Sequence, residues 1–524
     1  MKSSLFVAAC VLPFLLWGVC GILPTFDDYT TLQSPQLAPF FFEGLLPRDG
    51  YWRPFDYLFG CLLGRYTFLF PALNHVVIIL GHTLSTLLVY KLCERLSCNG
   101  TSTQIAALFF FFSPATLGAT LAVDGLNQTY AQLWGLLALW VYLSQIDCWL
   151  KYKKKQALHS GGPSLPFGNK ASICAVPIFI VFAALSKENG LAWAVVPPLV
   201  AYAFGYIDRR LATRHFLYGL LLAALYIMVR VFLNPNQGAD EDYFATSLAG
   251  HLADILQLLT FTWLPVDYSS VLYLPARNWP IFLITLALAL PFLLLIVLKS
   301  LVHLQSKKLP VLLLCYFILA SPHLLTVTSI MHNYAPLSIA AIMMAIIVES
   351  VQKLRPKLKL LWSLFLLAML ITDFNHYQAA RASGQLSRQM AEEVIGSLYP
   401  GSLESQPFGH TIQTPRLESP GSEANTQPAP SNVFCISVTR ADDIPGYSSF
   451  YVRPVNAFAW GLSVRRYTNY QFPANLHDTV LIDPTSRQIE HVADSALLTG
   501  ADCVWIVTDS SYHVRILGPT NRSQ

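Results

Sequence analysis

The sequence predicts a mainly α-helical, polytopic membrane protein of about eleven transmembrane helices, with a small C-terminal α/β domain outside the membrane. Three observations predict it. The 524-residue chain is 54% hydrophobic and 12% charged, with mean hydropathy +0.46, whereas an ordinary soluble domain carries about 25% charged residues. The charges are spaced so that long uncharged runs separate them. Lys and Arg then fall on alternate loops. So few charges exclude a disordered chain, a coiled coil and a secreted disulfide scaffold.

A spanning helix needs about 20 apolar residues. The first candidate runs between Lys2 and Asp27, with 24 uncharged positions. It lacks a small-residue cleavage site and reads as an anchor, not a cleaved signal. The second lies between Arg65 and Lys91. Residues 96–146 hold one charge, Asp124, and predict two spans hinged there. Residues 171–186 and 189–207 form a pair joined at Lys187-Glu188. Spans at 215–233 and 278–298 follow. The uncharged run 309–348 gives two more, turning near His332-Asn333. The last, 360–372, is short and requires Lys357 and Lys359 to snorkel to one interface.

With the N-terminus in the cytoplasm, the inner segments hold 18 of the 24 Lys and Arg that precede residue 373. Such a bias sets orientation. The odd span count then places the C-terminus outside, in a bacterial inner membrane or an ER-type membrane. This arrangement predicts a membrane domain over 1–372, with outer loops at 25–70 and 234–277. The second loop contains an amphipathic stretch from His251 to Leu264, and residues 39–46 read as an interfacial helix. An exit segment and a Pro/Ser-rich linker occupy 373–432. An extracytoplasmic domain occupies 433–524, where 433–438, 479–482, 503–508 and 513–517 alternate as short strands do. The ten cysteines show no zinc-type spacing, and the net charge of +4 reflects topology, with no nucleic-acid footprint.

In this scheme the unusual polar residues share one side. Asp27 and Asp28 follow the first span. Tyr51-Trp52-Arg53-Pro54 lies in the first loop, and Asp124 ends the third span. Ser186-Lys187-Glu188-Asn189 and His332-Asn333-Tyr334 join later hairpins. Ionisable groups near membrane depth are costly and mark functional sites by default. Each also has a plainer reading: Asp124 as a cap, Lys187-Glu188 as a local ion pair, Arg53 stacked beside Trp52, and His75 and His82 as packed or hydrogen-bonded histidines.

The order of these motifs resembles that of the GT-C glycosyltransferases that use polyprenyl-phosphate sugars, and specifically the transmembrane protein O-mannosyltransferase-like branch. The matching stretches are Phe26-Asp27-Asp28, Tyr51-Trp52-Arg53-Pro54-Phe55, the pair His75 and His82, Ser186-Lys187-Glu188, and Tyr334-Ala335-Pro336-Leu337-Ser338. The likeness covers roughly residues 20–350. The chain departs from the family pattern at Ile78, Ser113 and Gly118, and it lacks the family's downstream helical repeats.

The resemblance implies an inverting hexosyltransferase that moves a mannose-like sugar to a hydroxyl of a protein or glycan. Asp27 or Asp28 would be the catalytic base, and Arg53, Lys187 and His332 the donor-phosphate contacts. Tyr51, Trp52, Asp124, Glu188 and Tyr334 would line the substrate site, with Glu188 orienting Lys187. No spacing requires a divalent cation, and the resemblance leaves room for one. The expected partners are the lipid-linked donor, a hydroxyl acceptor and membrane lipid, without nucleic acid. The rivals are a transporter, and a non-catalytic membrane scaffold whose outer domain binds a partner. A transporter more often places its key residues at the midplane of repeated halves.

Overall fold

The computed structural model describes residues 11–13, 22, 52–66, 72–96, 98–123, 125–158, 170–233, 248–266, 279–303, 307–324, 330–351, 355–398, 433–438, 478–482, 503–508 and 514–517. Most of the predicted first span, the interfacial segment 39–46 and the greater part of the linker lie outside these residues.

Helices dominate, because an apolar chain in lipid must satisfy its backbone groups within each segment. In chain order they are α1 (Pro54–Tyr66), α2 (Ala72–Arg95), α3 (Gly100–Phe112), α4 (Leu117–Thr120), α5 (Leu126–Leu158), α6 (Lys170–Ser186), α7 (Val196–Ala203) and α8 (Arg209–Leu233). Then come α9 (Leu248–Trp263), α10 (Trp279–His303), α11 (Lys308–Leu324), α12 (Tyr334–Ser350) and α13 (Arg355–Leu398). Short 3₁₀ turns at Pro114–Thr116, Glu188–Ala194 and Ile330–Asn333 join or introduce several of them. Local chemistry sets some ends. The Asn99 side chain accepts from the Ser102 amide at the start of α3. Asp208 does the same for the Leu211 amide at the start of α8. Gly205, at φ +77°, turns the chain between α7 and α8.

Among the described residues, six helices are long and apolar enough to cross a membrane: His75–Arg95, Leu126–Lys151, Arg209–Leu233, Pro280–Lys299, Met331–Ser350 and Pro356–Gln378. The protein is therefore a mainly α, polytopic membrane protein. A seventh candidate is the pair Gly100–Phe112 and Pro114–Thr120, bent by 45° at Ser113. Shorter apolar helices lie at Ala175–Ser186 and Lys308–Pro322. The amphipathic stretch from His251 lies in α9, which starts earlier, at Leu248, and ends at Trp263, one residue short of Leu264.

The last span differs from the expectation. Asp373 does not end the helix. Instead α13 begins at Arg355 and runs on to Leu398, with an apolar window that reaches Gln378. Asp373 is buried inside it, as are Thr372, His376 and Tyr377. A boundary drawn at the first charge thus cut the helix short.

Neighbours in sequence pack as hairpins, with α5 on α6, α2 on α3 and α11 on α12, while α10 packs on α13. The centre of the bundle is α12, whose candidate span is 94% buried, whereas that of α8 is only 11% buried and leaves Leu221, Met228 and Phe232 exposed. At the bundle end holding the C-terminus of α2, Arg95 pairs with Asp147 and donates to Ser144 Oγ at 2.7 Å. The Tyr206 hydroxyl donates to the Arg95 carbonyl there.

Four strands, β1 (Val433–Val438), β2 (Asp478–Ile482), β3 (Cys503–Thr508) and β4 (Val514–Leu517), form one sheet in the order β2-β1-β3-β4. β1 is parallel to both β2 and β3, with Cys435 opposite Val480 on one side and Trp505 on the other, while β4 is antiparallel to β3. Parallel neighbours need crossover connections. Those crossovers, 439–477 and 483–502, lie outside the described residues.

Candidate functional site

The end of the bundle opposite the Arg95–Asp147 pair gathers polar side chains from many elements. Pro54 occupies the first turn of α1, where a missing amide costs nothing, and so sets Arg53 just before the helix. The Arg53 Nε lies 3.0 and 2.9 Å from the two Glu188 oxygens, and its Nη2 lies 2.7 Å from Oε2. Such a forked pair fixes orientation as well as charge. Arg230, near the end of α8, approaches the same carboxylate at 3.6 Å. Asp56 stands 3.9 Å from Arg53 and accepts from Asn127 Nδ2 at 3.1 Å. Beside it, Asn189 donates to Gln128 at 2.9 Å. The Trp52 indole stacks on Tyr226, with centroids 5.7 Å apart and planes 13° apart.

Glu188 follows directly from the end of α6, because Lys187 is extended (φ −153°, ψ 141°) and breaks the helix there. Burial alone would raise the Glu188 carboxyl. The facing Arg53 and Arg230 guanidiniums outweigh it and hold the group below the ordinary glutamate value. Glu188 was expected to orient Lys187, yet its oxygens face Arg53 and Arg230. Lys187, the residue before Glu188, is itself buried. Arg53 and Arg230 match the carboxylates of Glu188 and Asp56 in number, and guanidiniums of this kind also suit an anion.

A second group surrounds the bend between α3 and α4. His82 Nε2 lies 3.0 Å from the Phe111 carbonyl oxygen, and its Nδ1 lies 2.8 Å from the Tyr334 hydroxyl. One helix surface further along, His75 Nε2 lies 3.1 Å from the Leu121 carbonyl oxygen. The two histidines seven residues apart on α2 thus hold carbonyls on either side of the break. Their hydrogen-bonded reading stands. Tyr334, expected to line the donor site, is fully buried with its hydroxyl on His82. His332 and Asn333 are buried in the 3₁₀ turn that packs on α4 and on the turn Pro114–Thr116.

The structure therefore brings Trp52, Arg53 and Glu188 into one network, with Lys187 adjacent in the chain, and puts His332 and Tyr334 around the bend. Asp27, Asp28, Tyr51 and Asp124 lie outside the described residues. The sequence reading gave Arg230 and Asp56 no role at the site, and Asn127 and Gln128 entered it only within a glycosylation-type triplet, Asn127-Gln128-Thr129. Arg230 did carry a signal, since it interrupts an apolar run as a solitary charge. Among the described residues no group of three His, Cys, Asp or Glu side chains is placed to hold a metal ion. No family model, no curated protein and no solved structure matches the chain.

Proposed function

We propose that this protein is an integral-membrane glycosyltransferase that moves a hexose from a polyprenyl-phosphate donor to a hydroxyl acceptor, a protein or a glycan, at the non-cytoplasmic face. The observation that carries this reading is the Arg53–Glu188–Arg230 cluster, two guanidiniums on one partly buried carboxylate at one end of the bundle, with Lys187 next to it in the chain. Prearranged cations away from bulk water stabilise a developing phosphate charge strongly. In this reading Glu188 holds Arg53 in place, and Arg53, Lys187 and His332 face the phosphate. Asp27 or Asp28 takes the proton of the acceptor hydroxyl as its oxygen bonds to the anomeric carbon. The bond from that carbon to the phosphate oxygen breaks, and its electron pair leaves on the lipid phosphate.

Eleven spans, a cytoplasmic N-terminus and an outer α/β domain complete the proposal, and the loop charges support them. A transporter reading is weaker, because these polar groups gather at one end of the bundle and not at the midplane.

The test is transfer of labelled hexose in membranes supplied with a polyprenyl-phosphate-linked hexose. One of Asp27→Asn and Asp28→Asn is expected to lower the rate about 10²–10⁴-fold, the usual contribution of a general base. Full activity in both variants removes the base assignment, and no transfer by the wild type removes the enzyme.

A further inference from the structure

One buried carboxylate belongs to neither group described above. Asp373 is 1% exposed, and neither of its oxygens has a hydrogen-bond partner among the described residues. It lies five residues before the end of the apolar window at Gln378, about 8 Å inside at 1.5 Å per residue. His376 and Tyr377, three and four residues on, share its helix face and are also buried. Leaving such a group without a donor is costly in an apolar setting. A ligand that supplies donors removes that cost.

The surroundings say what kind of donor. Among the described residues, no donor from the elements packed on α13 reaches either Asp373 oxygen. α3 and the turn Pro114–Thr116 carry no titratable side chain, and Lys299 and His303 of α10 lie at the far end of that helix from its start at Trp279. On α13 itself, His376 is the titratable neighbour on the same face as Asp373, together with Tyr377. The carbonyls of the bent helix are already engaged: Phe111 by His82, Ser113 by Thr116, Thr116 by Thr120 and Leu121 by His75. They do not form a cage for a bare cation. What faces α13 instead is hydroxyl chemistry, with the Tyr377 and Thr120 oxygens 3.3 Å apart. Hydroxyls both donate and accept, and a carboxylate only accepts. This set complements a sugar, which brings several hydroxyls at once.

The place fits as well. Thr120 is eight residues from Gln128, and over that short stretch the chain passes from the Tyr377 contact to the side chains that hold Asp56 and Asn189. Thr372 anchors α13 at this end through the Pro265 carbonyl, 3.1 Å away.

We propose that Asp373, with Tyr377 and Thr120, forms the subsite that grips the hydroxyls of the hexose on the lipid-linked donor. The proposal rests on the glycosyl-transfer reading and adds to it the residue that distinguishes a sugar-bearing lipid from a bare one. It is tested on the full chain in lipid nanodiscs by comparing two ligands, a polyprenyl-phosphate-linked hexose and the same polyprenyl phosphate without sugar. Asp373→Asn is expected to weaken binding of the sugar-bearing lipid about tenfold or more and to leave the bare lipid phosphate unchanged. Equal loss for both lipids, or loss for neither, overturns the subsite while the glycosyl-transfer reading stands. A wild type that binds neither lipid overturns both. Should Asp373→Asn not yield monodisperse protein, Tyr377→Phe removes a single hydroxyl and reads the same split. Equal behaviour of the two lipids in that variant overturns the subsite too.

Discussion

Glu188 is the residue on which the outer cluster turns. Its two oxygens face two guanidiniums, one from the residue just before α1 and one from α8. Removing its charge leaves Arg53 and Arg230 facing one another in a partly buried place. The side chains are about one-fifth exposed, so solvent screens part of the interaction, and Glu188→Gln is expected to cost about 1–3 kcal/mol. A lowered melting midpoint of the purified protein is the measurement. The pH dependence has a definite sign. Because the folded carboxyl titrates below the ordinary glutamate value, the unfolded chain binds the proton more readily. The contribution is therefore complete above about pH 4.3 and is lost as pH falls through the folded value. Glu188→Gln should be flat across that acid window where the wild type loses stability, and matching acid profiles would remove Glu188 as the source. The histidines of α2 illustrate the other outcome at this scale: both nitrogens of His82 are spent on the Phe111 carbonyl and Tyr334, and Nε2 of His75 on the Leu121 carbonyl.

Among the elements, the 3₁₀ turn at Glu188–Ala194 sets the position of that carboxylate, and it lies directly on α6. A Cβ added at Gly190 would press into the Ala183 carbonyl of α6, whereas one added at Gly100 meets nothing within 4 Å. Gly190→Ala is expected to destabilise the protein by about 1–3 kcal/mol, as overpacking does, and Gly100→Ala to leave thermal stability unchanged or slightly raised. Equal midpoints for the two variants would show that the turn is free to move away. The bent pair α3–α4 is an element of the same kind. Its interruption at Ser113 and Pro114 exposes carbonyls that lipid cannot satisfy, and side chains from α2 and from its own turns meet them. The run of α13 through Asp373 shows why a charge rule misplaces an end. A carboxylate can sit in an apolar window when its face is turned into the protein and away from lipid.

Over the whole molecule, the loop charges make a prediction that the bundle does not. A reporter fused after Gln524 is expected to be active only on the non-cytoplasmic side, and a cytoplasmic signal overturns the odd-span scheme. The helices themselves were legible, because an uncharged run of sufficient length is a local property of the chain and lipid leaves it little choice but to coil. The strands at Val433–Val438 and Cys503–Thr508 were legible for a similar reason, since alternation over six residues is local too. Their order β2-β1-β3-β4 was not. Nor were the partnerships at the candidate site: Arg53 and Glu188 are 135 positions apart, and His82 and Tyr334 are 252 apart. From sequence alone, Lys187 was the natural partner for Glu188, because adjacency is all that a linear reading offers. Composition and charge spacing determined that this chain enters a membrane as a bundle of helices with polar hairpin ends. Tertiary packing decided which of those ends meet and that Asp373 lies inside, because side-chain contact depends on how helices far apart in the chain cross, which no short window of sequence records.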